Sequence, residues 1–418
     1  MMFYKETDFR DSPIGRVPKD WEISRLGVIT ENVKGRKPAR LLDEKSENSL
    51  PYLKAEYMRS NSNVKWCERD DPNIVKVNDS DLIMIWDGSY SGDVFTGFEG
   101  ALASTMVRII PEEKLSANFL YYFLSTKFEF LRGTTSGTGV PHVSKGIYEN
   151  LLIPLPSLVE QRAVVGVLGV VDSAIGLVDE VIAKTERLKK GLMQELLTKG
   201  IGHKEYKDTP IGKTPKTWHT LKIGNIAELK SGGTPYRERP EYWQNGDIPW
   251  IKSGELNDGE IYSSQEKISE LGLENSSAKV FQKGTLLMAL YGKGTVSKTA
   301  ILGIDSATNQ AICAFLPKDR QIDPKFLQYY LIFARNRLLG QLANPSSDVG
   351  RTNIYLNMLE SFRISLPEKI EEQKKISEIL SAVDKKLELE RAERMRLERI
   401  KRGLMDLFLT GKVRVKVD

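Results

Sequence analysis

The residues DSPIGRVPKDW at 11–21 return as DTPIGKTPKTW at 208–218, an offset of 197 in a chain of 418 residues. A phrase repeated at nearly half the chain length marks a tandem duplication, and that constrains the fold more than any composition does. Later pairs keep the same order. SDLIM (80–84) is answered by GTLLM (284–288), FLYYFL (119–124) by FLQYYL (326–331), IPLP (153–156) by ISLP (364–367), and KKGLMQELLT (189–198) by KRGLMDLFLT (401–410). The offset grows from 197 to 212, so the second copy is the longer one. Chance does not supply five matches in register.

Each copy opens with a mixed pattern. Short β-rich runs, DLIMIW (81–86) and TLLMALY (285–291), alternate with Gly, Asp and Ser punctuation. A helix is expected from Ser116 and another from Asp323-Pro324, where an N-cap residue precedes Pro at the first helical position. This is α+β character rather than a bundle or a sandwich.

Each copy closes with a long helix. Ser157-Leu158-Val159-Glu160, directly after Pro156, has capping-box spacing. Val164, Leu168, Val171, Ile175, Val178 and Ile182 then form a heptad seam, which is read as slipping at Thr185 and resuming with Leu188, Leu192 and Leu196. Thr198-Lys199-Gly200 ends it with a glycine cap. The second helix follows Pro367, carries Glu371 and Glu372 near its positive end, and has its seam at Ile376, Leu380, Val383, Leu387, Leu397, Ile400 and Leu404. The charged stretch ELERAERMRLER (388–399) predicts a wetter middle. Gly166, Gly169 and Gly176 cost helix stability and are expected to permit close approach on a packed face.

A helix with one apolar stripe needs a partner in water, and these two suit each other. About forty residues at about 1.5 Å each make a rod of roughly 60 Å. A pseudo-two-fold axis would run the helices antiparallel with a globular part at each end. The alternative is a helical hairpin within one compact core, but the intervening globular segment is far longer than an αα-hairpin loop. The expected organisation is a globular part at 1–155, a central helix at 156–200, a second globular part at 201–366 and a C-terminal helix at 367–418.

Composition narrows the function classes. Hydrophobic residues at 40% and charged residues at 28% are those of a globular chain. The longest strongly apolar run, AVVGVLGVV (163–171), is too short to span a bilayer, and MMFYKETDFRDSP lacks the apolar core of a secretory signal. Two cysteines, Cys67 and Cys313, and three histidines exclude a disulfide framework and argue against a zinc site, so no metal and a cytoplasmic location are expected. A net charge of +5 hints at an acidic partner without establishing one. Catalytic patterns are missing. Asn344-Pro345-Ser346-Ser347 lacks the Pro-Pro-aromatic loop of an adenine methyltransferase, and no GxxxxGK[ST] is present. DGSYSG (87–92) and GTTSGTGV (133–140) read as loops, Glu112-Glu113-Lys114 as a solvated turn, and His142, His203 and His219 support no Ser-His-Asp set.

The stretch SGGTPYRERPEYWQNGDIPWIKSGEL (231–256) resembles the opening of a target recognition domain in the specificity subunit of type I restriction-modification systems, where an SGGTP-like turn precedes an Ile-Pro-Trp strand. In the first copy Lys34-Gly35-Arg36-Lys37-Pro38 stands at the turn, and Leu50-Pro51-Tyr52-Leu53 answers Ile248-Pro249-Trp250-Ile251. Gln161 and Gln373, early in the long helices, and both GLM-x-x-x-LT endings fit that family's repeated helical regions. The resemblance covers essentially the whole chain. It implies a subunit that is not itself catalytic, with one target recognition domain per copy, each reading half of a bipartite, asymmetric double-stranded DNA target. The helical pair would set the spacer and dock two methyltransferase subunits, and a motor-nuclease subunit can join them. S-adenosylmethionine, ATP and magnesium would belong to those partners, with no cofactor on this chain. The competing classes are a coiled-coil scaffold that binds only proteins and a stand-alone DNA methyltransferase.

DNA contacts are expected in basic, loop-like stretches, where Lys and Arg reach phosphates and Asn, Gln or Arg read base edges. In the first domain these are Lys34, Arg36, Lys37, Arg40 and Tyr90; in the second, Lys230, Thr234, Arg237, Arg239, Lys293, Lys298, Arg351 and Asn353. Asn309 and Gln310 follow a turn and either read adenine or close a strand end. Any single Lys is better explained as a solvated charge. Trp21 and Trp218 are read as core anchors, and the two repeated phrases as one structural join made twice, its Pro and Gly fixing a bend.

Overall fold

The computed structural model describes residues 2–60, 62–134, 141–292, 294–318, 322–342, 344–345 and 352–416. The chain divides into two compact units, Met1–Asp179 with Ala392–Asp418, and Glu180–Arg391. Four helices organise them: α1 (Ala117–Thr126), α2 (Leu158–Lys199), α3 (Pro324–Phe333) and α4 (Ile370–Leu409). The unit boundary cuts through α2 and α4 because each unit's core takes residues from both. Val164, Leu168, Met405, Phe408 and Leu409 belong to the first core, and Met193, Leu196, Leu197, Ile376 and Leu380 to the second.

Each unit carries a head of two sheets with matching order. In the first, one sheet runs Val94–Phe95, Leu82–Ile85, Met106–Pro111, Thr30–Lys34, and the other Lys65–Glu68, Ser49–Leu53, Gly100–Leu102, Lys76–Val77. The second unit repeats both orders and adds Glu260–Ile261 at one edge. The apolar run at 82–85 does not alternate because both of its faces are covered. Leu82 and Met84 pack towards Phe119 and Phe123 of α1, while Ile83 and Ile85 join Leu53 and Leu102. The expected Tyr52 and Trp250 correspondence holds in the backbone, since Tyr52 pairs in parallel with Ala101 and Trp250 with Ala307.

The helix starts behave as read, with one difference. Asp323 accepts the Phe326 N–H at 2.8 Å and Pro324 is the first residue of α3, whereas Ser116 makes no side-chain cap. Instead its N–H donates to Gln161 Oε1 at 2.8 Å, as that of Asp323 does to Gln373 Oε1 at 2.9 Å. Both amides also donate to the Pro that precedes their helix, Gln161 to the Pro156 carbonyl and Gln373 to that of Pro367. These repeated glutamines therefore tie head helix to long helix, which explains why they are fully buried.

The capping box at 157–160 is half made. Ser157 Oγ accepts the Glu160 N–H at 3.3 Å, but the Glu160 carboxylate turns away to the repeated phrase. There it accepts from Trp21 Nε1 at 3.3 Å and from Arg414 at 2.8 and 2.9 Å. The second unit repeats the arrangement: Trp218 Nε1 donates to Glu372 at 3.4 Å, and His203 Nε2 lies 2.8 Å from it. His203 stands three residues after Gly200 and Arg414 three after Gly411, both glycines at positive φ (+67° and +70°) at a helix end. A Cβ at Gly200 would lie 2.5 Å from Glu372 Oε1, and one at Gly411 2.4 Å from Pro18. The repeated phrase is thus the same join made twice, with both tryptophans fully buried. At the second join the chain runs on continuously from α2. At the first, the strand Val413–Val415 after α4 pairs antiparallel with Phe3–Lys5, so the two ends of the chain close it.

A second repeated cluster lies along the helices. Tyr122 of α1 donates to Asp172 of α2 at 2.7 Å, and Lys401 of α4 pairs with the same carboxylate at 2.6 Å. In the other unit Tyr329 donates to Asp384 at 2.8 Å, and Lys189 pairs with it at 2.5 Å. Burial, and next to it the adjoining carboxylate, push the Tyr122 phenol well above its ordinary range, so it remains a donor. Each cluster pins a head to both helices.

Within each unit the helices pair antiparallel: Asp172 with Lys401 and Asp179 with Arg394 in the first, Thr185 with Glu390 and Lys189 with Asp384 in the second. Val164, Leu168, Ile175, Ile376, Leu380 and Leu387 are buried, and Val171, Val178, Ile182, Leu192, Val383, Leu397 and Leu404 are half-buried. Three expectations change. The seam does not slip, since Thr185 is 4% exposed and continues the heptad through Lys189 to Leu192, whereas Leu188 is 53% exposed. Ile400 is 40% exposed, and the seam position beside it belongs to Lys401. Gly169 and Gly176 have open space where a Cβ would stand and Gly166 is exposed, so none of them serves close approach within the chain. The middle of α4 is wet as expected, with Leu389 and Met395 exposed and ion pairs from Arg391 to Glu186 and from Arg394 to Asp179.

Candidate nucleic-acid interface

In each head the candidate residues emerge from one end of one sheet. Lys34, Met84 and Val107 lie in register across three strands of the first head, as do Ser231, Met288 and Cys313 in the second. The chain leaves these strand ends as the turns that sequence reading singled out. The turn glycine is required twice by close approach: a Cβ at Gly35 would lie 2.2 Å from the Ala103 carbonyl oxygen, and one at Gly232 2.1 Å from that of Thr308.

In the first head Lys34 pairs with Asp87 at 3.1 Å, which brings the turn 34–40 to the loop 87–92. Gly88 N–H donates to the Pro141 carbonyl at 2.7 Å, adding a third segment. Arg36, Lys37 and Arg40 are exposed. Tyr90, 42% exposed, carries the Arg59 guanidinium 4.0 Å above its ring, and Arg59 also bonds Asp93. Burial raises the Asp93 carboxyl above its usual range against the opposing pull of Arg59. Sequence reading missed Arg59 because its partners lie more than thirty residues away and no local pattern marks it.

In the second head Thr234 donates to Gln310 Oε1, so the SGGTP turn and the 309–310 turn meet. Asn309 uses its backbone to hold Ile251 and Ile312, and its side-chain Oδ1 is buried without a partner. Gln310 is the exposed member. Arg237 lies 3.7 Å above the Trp243 ring and 4.9 Å from that of Trp250, with Glu266 bonded to its guanidinium. Glu266 also takes Lys252 Nζ at 2.7 Å, and chiefly this bond holds its carboxyl below the usual range. Two cations thus share one carboxylate. Arg239 pairs with Glu241, Lys298 is half-buried, and Asn353 pairs in backbone with Tyr291. Lys230 differs from expectation in lying within a strand, paired with Glu228 at 3.1 Å. Lys293 and Arg351 lie outside the described residues.

Two heads of one architecture, each with a basic loop end and a shared helical region, match a known pattern. The family model "Type I restriction modification DNA specificity domain" matches residues 18–187 and again 215–399. The chain belongs to the type I restriction-modification specificity family. Along its whole length it is 35% identical to the type I restriction enzyme MjaVIII specificity subunit of Methanocaldococcus jannaschii, covering 98% of that protein. It is 25% identical to the EcoR124I/EcoR124II specificity subunit of Escherichia coli over 72% of each chain. Among solved structures, the S subunit from M. genitalium shares the fold with a TM-score of 0.58 at 16% identity, covering 94% of this chain and 96% of that one. A chain from a study of type I system assembly aligns with a TM-score of 0.56 at 20% identity, over 95% of this chain and 99% of its own. The two matched ranges are the two copies seen as a repeated phrase. Among the described residues, no helix of this specificity-family chain is long and apolar enough to cross a membrane, and no cluster of His, Cys, Asp and Glu could hold a metal.

Proposed function

We propose that each head reads one half of a bipartite, asymmetric DNA target through the loops at its sheet end, that the helix pair sets the gap between the halves, and that two methyltransferase subunits dock on the repeated helical regions. S-adenosylmethionine, ATP and magnesium then reside on partner subunits, and this chain supplies recognition alone. One observation carries the reading. The scaffold residues are written twice nearly unchanged, but the loop ends differ: Lys34, Arg36 and Lys37 in one head stand against Ser231, Gly233 and Thr234 in the other. Two readers of unlike chemistry on like frames call for a target with unlike halves.

Exchanging residues 21–152 for the corresponding domain of another family member tests this. Sequencing of methylated bases in cells carrying the complex should show one half-site replaced completely and the other kept. Both halves altered, or neither, would refute one reader per half-site.

A further inference from the structure

The repeat preserves more than folding requires. Two apolar grooves, one in each unit, are built from equivalent residues. The first, of 1190 Å³, lies between the last turns of α4, the phrase 11–21 and α1; the second, of 980 Å³, lies between the last turns of α2, the phrase 208–218 and α3. Their floors correspond position by position: Ile14 with Ile211, Phe123 with Tyr330, Leu409 with Leu197. The phrase is anchored to the core by Trp21 and Trp218, both fully buried, and the tip of its turn lies outside that core. Ile14 at that tip is 40% exposed, yet isoleucine is written there in both copies. An apolar residue kept at both tips, exposed in the first copy and half-buried in the second, marks a surface that another chain covers.

Charge says what kind. The carboxylates of the grooves are already neutralised within the chain, Glu6 by Arg414, Asp406 by Lys412 and Glu195 by Lys199. Arg16, Lys127, Arg402 and Lys213 have no carboxylate partner among the described residues. Both rims are therefore positive around an aromatic and aliphatic floor. A duplex offers phosphates but no apolar side chains to fill such a floor, whereas an amphipathic peptide segment with acidic flanks offers both. We infer that each groove takes an acidic, amphipathic segment of the methyltransferase subunit, so that the repeated grooves bind two identical copies. This rests on the reading that such subunits dock on the repeated regions, and deepens it.

The full chain and purified partner methyltransferase subunit test it, with Ile14→Glu and Ile211→Glu singly and together, read by native mass spectrometry and titration. Wild type should take two copies, each single variant one, and the double variant none at concentrations that saturate wild type, with at least a tenfold loss of affinity per groove. Arg16→Glu with Lys213→Glu, on the exposed rim, should weaken both sites alike and carries the test if a glutamate at the tip disturbs folding. Two copies bound by the double variant with wild-type affinity would overturn the inference and leave the proposed function standing. Variants that keep both methyltransferase copies but lose target DNA would assign the grooves to the duplex and overturn it as well. A wild-type chain that binds its DNA target but no methyltransferase subunit would overturn both the docking reading and the inference.

Discussion

Replacing Arg414 by Met is expected to destabilise the first unit by about 3–5 kcal/mol, the range for removing one partner of a buried ion pair. Arg414 has 12% of its side chain exposed and holds three carboxylates at once: Glu160 (3%), Glu6 (10%) and the largely exposed Asp20 (61%). The bonds to Glu160 lead in raising its pKa further above an already high value, so it is charged at every working pH. Met fills the volume but leaves Glu160 facing Trp21 with no cation. The strand pairing between the two ends of the chain lies beside this cluster, so fraying of Phe3–Lys5 from Val413–Val415 should accompany the loss. Denaturant unfolding measures the change. The double variant Glu160→Gln with Arg414→Met should recover a large part of it, since Gln still accepts from Trp21 and needs no countercharge; a double variant as unstable as the single one would show that packing, not charge, holds the join. His203→Ala at the equivalent place should cost only about 1 kcal/mol. There Glu372 keeps the N–H groups of Ile201 and Trp218, and the chain itself spans the join.

This asymmetry shows what the sequence could and could not convey. The duplication, the tryptophan anchors and both long helices were legible because they depend on local spacing: a phrase, a buried aromatic, a heptad. The seam was misread at Thr185 and Ile400 for one physical reason. At Thr185, Lys189, Glu390, Arg394 and Lys401 the heptad is filled by polar residues that bond across the pair, Thr185 to Glu390, Lys189 to Asp384, Arg394 to Asp179 and Lys401 to Asp172, so hydrophobicity alone loses the register there. Leu188 and Ile400 are apolar but outward, and they drew the reading off the seam. The helix glycines misled similarly, because lack of a side chain permits close approach without requiring it. Arg414 and Glu160 lie 254 residues apart, and nothing in linear order brings them together. At the interface the turns were legible as glycine-rich punctuation. Their convergence on one sheet end, and the tethering of Arg59 and Lys252, depend on strand register and were not.

The register of the helix pair makes the proposed role of the helices in spacing testable with the heads left intact. Deleting residues 174–180 from α2 and 393–399 from α4 removes seven residues from each, along with the Asp179–Arg394 pair, and keeps the heptad. The Asp172–Lys401 and Thr185–Glu390 contacts on either side survive, as do both Tyr–Asp–Lys clusters. At about 1.5 Å per residue the pair shortens by about 10 Å. With base pairs about 3.4 Å apart, the preferred gap between half-sites should fall by about three base pairs. Rotation limits how well the shorter gap can work. A duplex that turns once in 10–10.5 base pairs rotates by roughly 100° over three of them, whereas one heptad turns a helix by only about 20° relative to its seam. The new optimum should therefore be methylated more weakly than the parent target, while the bases read at each half stay the same. Methylation of a series of targets differing only in gap length reads both effects. A folded deletion variant that still prefers the parent gap would show that the spacing is set elsewhere, by the heads or by the docked subunits, and would remove the helices from the recognition mechanism.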